Sequence, residues 1–402
     1  MHLHNKVLTI TMLSYLAALL LLFAITPDRD FSEAENRMLQ KMPACTWESL
    51  ISGKFNLAAE NYLSDQFPGR DAWVGLKSAI ELLLLKKDNN GVYFGRDGYL
   101  LPMMEGINMA TLGENMETIN RFAETFPGQV CFLPAPSAAQ ILQEKLPPFA
   151  APREQLELQK TVEEQLAPGI HLIDAPSALA AHKGEYIYYK TDHHWTSKGA
   201  YYAYVEAGKA LGYNPLELND FIIEQVSDDF YGTLYSKSGH RFARPDSIQL
   251  FLPNKEQSCQ VEYEYEKRTT ASLYAMDWLQ KKDQYAVFLG GNHALVRITA
   301  SNETGRKLLV IKDSYANSMV PFLINHFDEI HLIDLRHFNS DLRSYIEQHG
   351  LGEVLFVYNT TSFAGDPSIR KLGTYTKGLQ DLSPIAPRGL GKPVPPSDTH
   401  LL

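Results

Sequence analysis

A chain of 402 residues with 45% hydrophobic content has enough apolar material for a buried core and length for one large domain plus further segments, which excludes an intrinsically disordered protein. Its formal net charge of -10 and pI of about 5.7 remove the electrostatic basis for broad binding to nucleic acid or anionic lipid. Any anionic ligand has to meet a local basic pocket.

The first predicted element is a membrane span. Val7 to Ile25 reads VLTITMLSYLAALLLLFAI, nineteen residues without a charge. At about 1.5 Å per residue such a helix nearly crosses a ~30 Å hydrocarbon core. A cleaved signal is the competing reading, but its apolar stretch usually runs about 7 to 15 residues before a small-x-small site. The exit here, Phe-Ala-Ile-Thr-Pro, is a poor cleavage site, so an uncleaved anchor is expected over residues 1–27. Lys6 precedes the span while Asp28 and Asp30 follow it, which by the positive-inside tendency places the main domain outside the cytoplasm, at the cell membrane.

FSEAENRMLQKMP and then YLSDQFPGRDAWVGLKSAIELLLLKK follow, the latter with helical apolar spacing. Residues 28–98 are expected to form a helical stalk packed on the main domain, closing with a hairpin, GVYFGRDGYLLP, that turns at Asp-Gly. Short apolar runs then alternate with helical patterns: VCFLPA (130–135), HLIDA (171–175), KLLVIKD (307–313), EIHLIDL (329–335) and EVLFVYN (353–359). Such runs suit strands buried on both faces, and alternation with helices over 116–126, 154–166 and 199–211 argues for βαβ units. An α/β domain with a mainly parallel sheet is therefore expected over 99–380. Between about 214 and 297 the pattern changes to SIQLFLP, QVEYEYEKR and YAVFLGG, read as an insertion of antiparallel strands. The last twenty residues hold five prolines and two glycines, so 381–402 reads as a disordered tail. The three cysteines, Cys45, Cys131 and Cys259, form no metal-like pair, and Cys131 in VCFLPA reads as a core residue.

The densest chemical signal is YYKTDHHWTSKGAYYAY, residues 188–204, where Asp192, His193, His194 and Trp195 precede a helix capped by Thr196 or Ser197. In an extended loop residues i and i+2 point the same way, so Asp192 and His194 share a side and His193 takes the other. A carboxylate beside an imidazole fixes its tautomer and stabilises the cation formed when it takes a proton. The matching nucleophile comes from RKLLVIKDSYANSMVPFL, where a buried-strand pattern ends at Asp313 and Ser314 opens the next helical segment. Carboxyl ends of parallel strands are ligand-binding edges, and a helix start offers N–H donors to a developing oxyanion. The structural alternative is that Ser314 caps that helix, with Asp313 as the competing cap.

Together TDHHW, KDSYANS, SEAENR and YLSDQFPGRD resemble the DHHW proteins, relatives of the alginate O-acetylation proteins in the SGNH-hydrolase-like group. The resemblance runs from about Phe31 to Phe363 and implies a three-layer α/β sandwich, an envelope location and acyl chemistry on polysaccharide. It implies Asp192, His194 and Ser314 as a catalytic triad, and Arg336 and Tyr358 as carbohydrate or oxyanion contacts. Asn292 in LGGNHA is a second oxyanion candidate beside the Ser314 N–H, and His193 and Trp195 are counted with the substrate contacts. Two departures stand out. LPAPSAAQIL has Ser137 and Ala138 where alginate-system relatives often carry a lysine, and Ser314 follows the Asp-x-His motif, the reverse of the ordinary GDSL esterase order, which implies a permuted topology.

His240, His293, His326, His331 and His337 are scattered without HExxH, and no phosphate loop or GxGxxG occurs, so neither a metal nor a nucleotide cofactor is expected. The expected function is a polysaccharide O-acetyltransferase or acetylesterase, with an acylated sugar as substrate and a membrane-bound acyl donor protein as a partner. The alternative is a non-catalytic carbohydrate-binding or assembly protein of the envelope.

Overall fold

The computed structural model describes residues 2–104, 106–150, 153–255 and 257–376; the tail expected from 381 lies outside them. Helix α1 (His2–Ile25) opens the chain, and its stretch His4–Ile25 is long and apolar enough to cross a membrane, with none of it buried against the rest of the protein. Pro27 cannot continue the helix, and the Thr26 hydroxyl donates back to the Leu22 carbonyl at 2.6 Å.

A short ladder, β1 (Phe31–Ser32) with β2 (Arg37–Met38), leads to α2 (Trp47–Ile51), α3 (Lys54–Asp65) and α4 (Arg70–Leu83). The two charged motifs of this region lock together. Arg37 forks onto Asp65 at 2.5 and 2.9 Å, while Glu35 accepts from Arg37 at 2.7 Å and also from Arg70. Bidentate pairs of this kind fix geometry as well as charge. The antiparallel strands β3 (Asp88–Asn89), β4 (Val92–Phe94) and β5 (Leu100–Pro102) follow, with Phe94 opposite Leu100 and Asp97 in the left-handed region between them.

The remaining elements run α5 (Met109–Thr125), β6 (Gln129–Ala135), α6 (Ala138–Ile141), α7 (Arg153–Gln165), β7 (Ile170–Leu172), α8 (Ala175–Ala181) and α9 (Ser197–Leu211). Next come β8 (Phe221–Phe230), α10 (Thr233–Ser238), β9 (Asp246–Pro253), β10 (Cys259–Tyr263), β11 (Arg268–Thr270), β12 (Leu295–Ala300) and β13 (Lys307–Lys312). The chain then adds α11 (Val320–Leu323), β14 (Glu329–Ile333), α12 (Leu342–His349), β15 (Glu353–Asn359), α13 (Thr360–Gly365) and α14 (Gly373–Thr376).

Eight strands form one mixed sheet in the order β11-β10-β12-β14-β13-β15-β6-β7. The five from β14 to β7 are parallel, and they are the five apolar runs of the sequence. Alternate side chains feed two cores. Leu308 and Val310 pack with Leu179 of α8 and Ala203 and Tyr204 of α9, whereas Leu309 and Ile311 pack with Ile119 and Phe122 of α5, Val162 of α7 and Ile346 of α12. Each such aliphatic side chain, fully buried, contributes about 1.5–3 kcal/mol, which is why these strands show no polar alternation.

The segment read as a separate antiparallel insertion divides in two. SIQLFLP lies in β9, which pairs with β8, but QVEYEYEKR covers most of β10 and reaches the first residue of β11, and these with β12 extend the main sheet through antiparallel pairing of β12 with β14. YAVFLGG is not a strand. Residues 284–287 form a 3₁₀ turn, and Leu289, Gly290 and Gly291 all have positive φ, so the backbone reverses while Tyr285, Val287 and Phe288 plug a small core with Tyr189 and Phe230.

Candidate active site

The site lies at the carboxyl edge of the parallel strands. β13 ends at Lys312, and Asp313 then caps the next turn, accepting from the Tyr315 N–H at 2.9 Å and from the N–H of Asn359, the last residue of β15, at 2.8 Å. Asp313 is thus the cap. The Ser314 hydroxyl makes a different contact, to the Nε2 of His194 at 2.7 Å.

His194 sits between Ser314 and Asp192, whose Oδ1 is 2.6 Å from its Nδ1. The same oxygen accepts the His194 backbone N–H at 3.0 Å, so this is an Asx turn and not the extended loop expected. Asp192 and His194 face one another because the carboxylate binds the backbone two residues on. His193 also departs from expectation: its Nδ1 is 3.6 Å from Asp192 and 2.7 Å from the Thr233 hydroxyl, and its ring lies 3.8 Å from that of His194. The loop is held from before as well, since buried Asp246 accepts the N–H groups of Lys190 and Thr191 at 2.8 and 2.7 Å and the Thr191 hydroxyl at 2.6 Å.

Three residues at this site were not singled out from the sequence. Thr233, the first residue of α10, gives its N–H and hydroxyl to Asp192 Oδ2 at 2.8 and 3.0 Å. Gly232 lies so close that a Cβ there would come within 2.2 Å of the Asp192 Cβ. Tyr285 stacks on the His194 ring at 3.8 Å and 6°, and its hydroxyl donates to the Ser314 carbonyl at 3.1 Å. A Gly-Thr pair before a helix is a visible capping signal, but nothing local tells that its target is Asp192.

The substrate-contact candidates fare differently. Trp195 is fully buried and donates to the Tyr315 carbonyl and the Ser318 hydroxyl, both at 3.0 Å, so it joins the histidine loop to the serine turn and presents no free surface. Tyr358 is 1% exposed in the second core, with Phe363 against its ring. Burial leaves it no surface for sugar. Arg336 forks onto Asp334 at 2.9 and 2.6 Å and stays partly exposed. Asn292 is exposed, and its Oδ1 accepts from Lys312 Nζ at 3.2 Å and from Asn317 Nδ2 at 3.1 Å. A cavity of about 340 Å³ is lined by His193, Thr233, Tyr315, Ser137, Gln155 and Met103 among others, and it adjoins one of about 520 Å³ that shares Thr233 and Lys237.

Charges are set by burial and neighbours. Burial alone would raise Asp192, but His193, His194 and the bonds from His194 and Thr233 outweigh it and hold the carboxyl well below its usual range. Burial and then the neighbouring His194 push His193 down to about 4, leaving it neutral near pH 7. Burial pushes the Lys312 ammonium down to about 8 and raises Asp313 against its two N–H bonds. Two groups among the described residues have ligand atoms close enough to share a cation: Asp192, His193 and His194, and on another part of the sheet Glu329, His331 and His349. In the first, both nitrogens of His194 are already taken by Asp192 and Ser314. In the second, His331 has Tyr345 and Glu329 on its two nitrogens.

Residues 175–333, which hold Asp192, His194 and Ser314, match the DHHW protein family. The chain carries a DHHW domain. Over 180 residues it is 25% identical to a Pseudomonas syringae pv. tomato protein named "Probable alginate O-acetylase AlgJ", a match that covers 42% of this chain and 46% of that one. The chain thus spans about half the length of that relative. Among solved structures, a DHHW family protein from Eubacterium siraeum is 26% identical with a TM-score of 0.61, covering 71% of this chain and 96% of its own. Bacillus cereus PatB1, 22% identical with a TM-score of 0.58, covers 68% and 97% and shares the fold. The DHHW motif itself is Asp192 to Trp195, so the domain's four signature residues supply one carboxylate, two imidazoles and the indole that ties them to the serine turn.

Proposed function

We propose that this chain is a membrane-anchored, extracytoplasmic polysaccharide O-acyltransferase or acetylesterase whose triad is Ser314, His194 and Asp192, set in an SGNH-hydrolase-like three-layer sandwich. The observation that carries this reading is the unbroken chain from Asp192 Oδ1 to His194 to Ser314 Oγ, at 2.6 and 2.7 Å. These are the distances at which a serine hydroxyl can pass its proton to an imidazole. On the same reading residues 1–27 are the anchor, 28–98 the stalk and 99–380 the acyl-transfer domain. A membrane-bound acyl donor is the proposed partner.

Ser314 Oγ attacks the acyl carbonyl while its proton passes to His194 Nε2, and ionised Asp192 stabilises the imidazolium. The oxyanion meets the Ser314 backbone N–H and the side chain of Asn292, whose oxygen is engaged by Lys312 and Asn317 so that its N–H₂ is the end able to donate. Collapse expels the leaving alcohol with the proton from His194 and leaves the acyl group on Ser314. A sugar hydroxyl or water then gives its proton to His194, attacks the acyl-serine and regenerates the serine hydroxyl. The chemistry needs no cofactor. The cavity beside His193 and Tyr315 sets Ser137, Gln155, Lys237 and Asn359 among apolar Met103, Met104 and Leu234, a mixed lining that a sugar ring with its apolar faces and hydroxyl rim would fit, which puts His193 among the substrate contacts.

The test is acetyl release from a chromogenic ester, and acetyl transfer to an oligosaccharide read by mass, for the full chain and for Ser314→Ala, His194→Ala and His193→Ala. Ser314→Ala and His194→Ala should lose activity to the same level, because triad members act as a unit. His193→Ala should keep turnover and raise KM. Equal inactivity of all four proteins on several acetylated sugars would favour the non-catalytic carbohydrate-binding reading.

A further inference from the structure

Helix α4 is turned the unusual way round. Its small residues Gly75 and Ser78 are the buried ones, and a Cβ on Gly75 would come within 2.9 Å of the Arg241 side chain. Its large apolar residues Trp73, Leu76, Ile80 and Leu83, with Leu84 at its C-cap, face out, while Val74 and Leu82 are half-buried; Leu83 is 82% and Leu84 76% exposed. The spacing of three and four residues puts the five outward ones on one stripe of the helix. An amphipathic helix docked only to its own domain buries that stripe, whereas among the described residues nothing covers this one.

The position of the stripe points to its occupant. Arg29, four residues beyond the end of α1, pairs with Asp71 in the first turn of α4 at 2.9 Å, and its N–H donates to Gln66 at 2.9 Å. Phe23 in α1 meets Tyr62 of α3 edge-on at 5.9 Å. The stripe therefore begins where the apolar helix α1 ends, and its first residue is a tryptophan, the side chain that partitions to the membrane–water boundary. The exposed lysines beside it, Lys77, Lys86 and Lys87, outnumber the carboxylate between them, Glu81, which lies 3.9 Å from Lys77 and 3.2 Å from Lys86, and so leave a local positive excess on a chain of net charge -10.

We infer that the exposed stripe of α4 lies in the interfacial layer of the same bilayer that α1 crosses, with its lysines at anionic phospholipid headgroups. This rests on the reading of α1 as a membrane span. Such a contact needs both buried apolar area and headgroup attraction, and α4 offers the two together. α4 then holds the domain down at a second point, beyond the single tether of the span.

The test uses the full chain with Trp47→Phe, reconstituted in vesicles of phosphatidylcholine and phosphatidylglycerol whose acyl chains are brominated near the headgroup, which quenches nearby tryptophan. Strong quenching that disappears when Trp73→Phe is added supports the proposal, and it should weaken when phosphatidylglycerol is left out. Trp73 emission untouched by brominated lipid overturns it, as does self-cross-linking of Leu83→Cys that shows a second copy on the stripe. Alkaline carbonate extraction of the same vesicles reads the span separately. Release of the protein would end the reading of α1 as an anchor, while the Trp73 signal would still decide the stripe.

Discussion

Thr233 gives both its backbone N–H and its hydroxyl to Asp192 Oδ2, the carboxylate oxygen that His194 does not use. One oxygen orients the imidazole and the other is anchored to the start of α10. Thr233→Ala removes one of the two anchoring bonds. We expect kcat to fall about tenfold, the size of one hydrogen bond to a charged group. Thr233→Ser keeps the hydroxyl donor and should restore kcat.

Gly232 is a test of crowding. A methyl group there would sit 2.2 Å from the Asp192 Cβ and 2.7 Å from its Cα, neither of which can swing aside as a long side chain would. Gly232→Ala should displace Asp192 and cut activity toward the level of Ser314→Ala, with a stability loss of about 1–3 kcal/mol in chemical denaturation, as for other overpacked sites. Wild-type turnover in this variant would show that the loop shifts freely.

Tyr285 offers two separable contacts, a ring stacked on His194 and a hydroxyl on the Ser314 carbonyl and Ser318 hydroxyl. Tyr285→Phe keeps the ring and should cost about threefold in kcat. Tyr285→Ala also frees the imidazole to rotate. It should lose about 10- to 100-fold, since misplacement of a catalytic group by about 1 Å can have that effect.

Acid should destabilise the fold over a defined range. Burial lowers His326 and His331 to about 4, so between pH 6.5 and 4 the unfolded chain binds protons that the native chain refuses. Stability therefore rises with pH through that window and levels off above it. Asp192 adds the same sign at lower pH, since its depressed carboxyl contributes stability that is lost only as it is protonated. Denaturation midpoints should drop from pH 7 to pH 4.5, and His331→Gln should flatten the slope relative to wild type.

The parallel strands were legible because Leu308 to Ile311 are buried on both faces, and a strand without a wet side leaves a continuous apolar run. The pairing of Asp192 with His194 was legible too, but through a different cause, because the sequence pattern does not distinguish an Asx turn from an extended loop. YAVFLGG was misread for a related reason. Its composition is that of a strand, but a 3₁₀ turn over 284–287 and three successive positive φ angles turn it into a plug, and the first of the three, at Leu289, is a conformation no leucine advertises. Thr233 and Tyr285 stayed hidden because their partners lie 41 and 29 residues away along the chain.

Helix α10 joins the triad loop to the segment that precedes Tyr99. Its first residue binds Asp192, while the Ser238 carbonyl at its last turn accepts from Asn89 at 2.9 Å and the following Gly239 packs against Val74 of α4. Any soluble fragment therefore faces a choice of cut. Starting after Pro27 keeps the prop beneath α10 but leaves the leucines of α4 bare and prone to self-association in plain buffer. Starting at Tyr99 removes those leucines together with the prop, and the fragment should then dissolve well while the aspartate it carries drifts out of line.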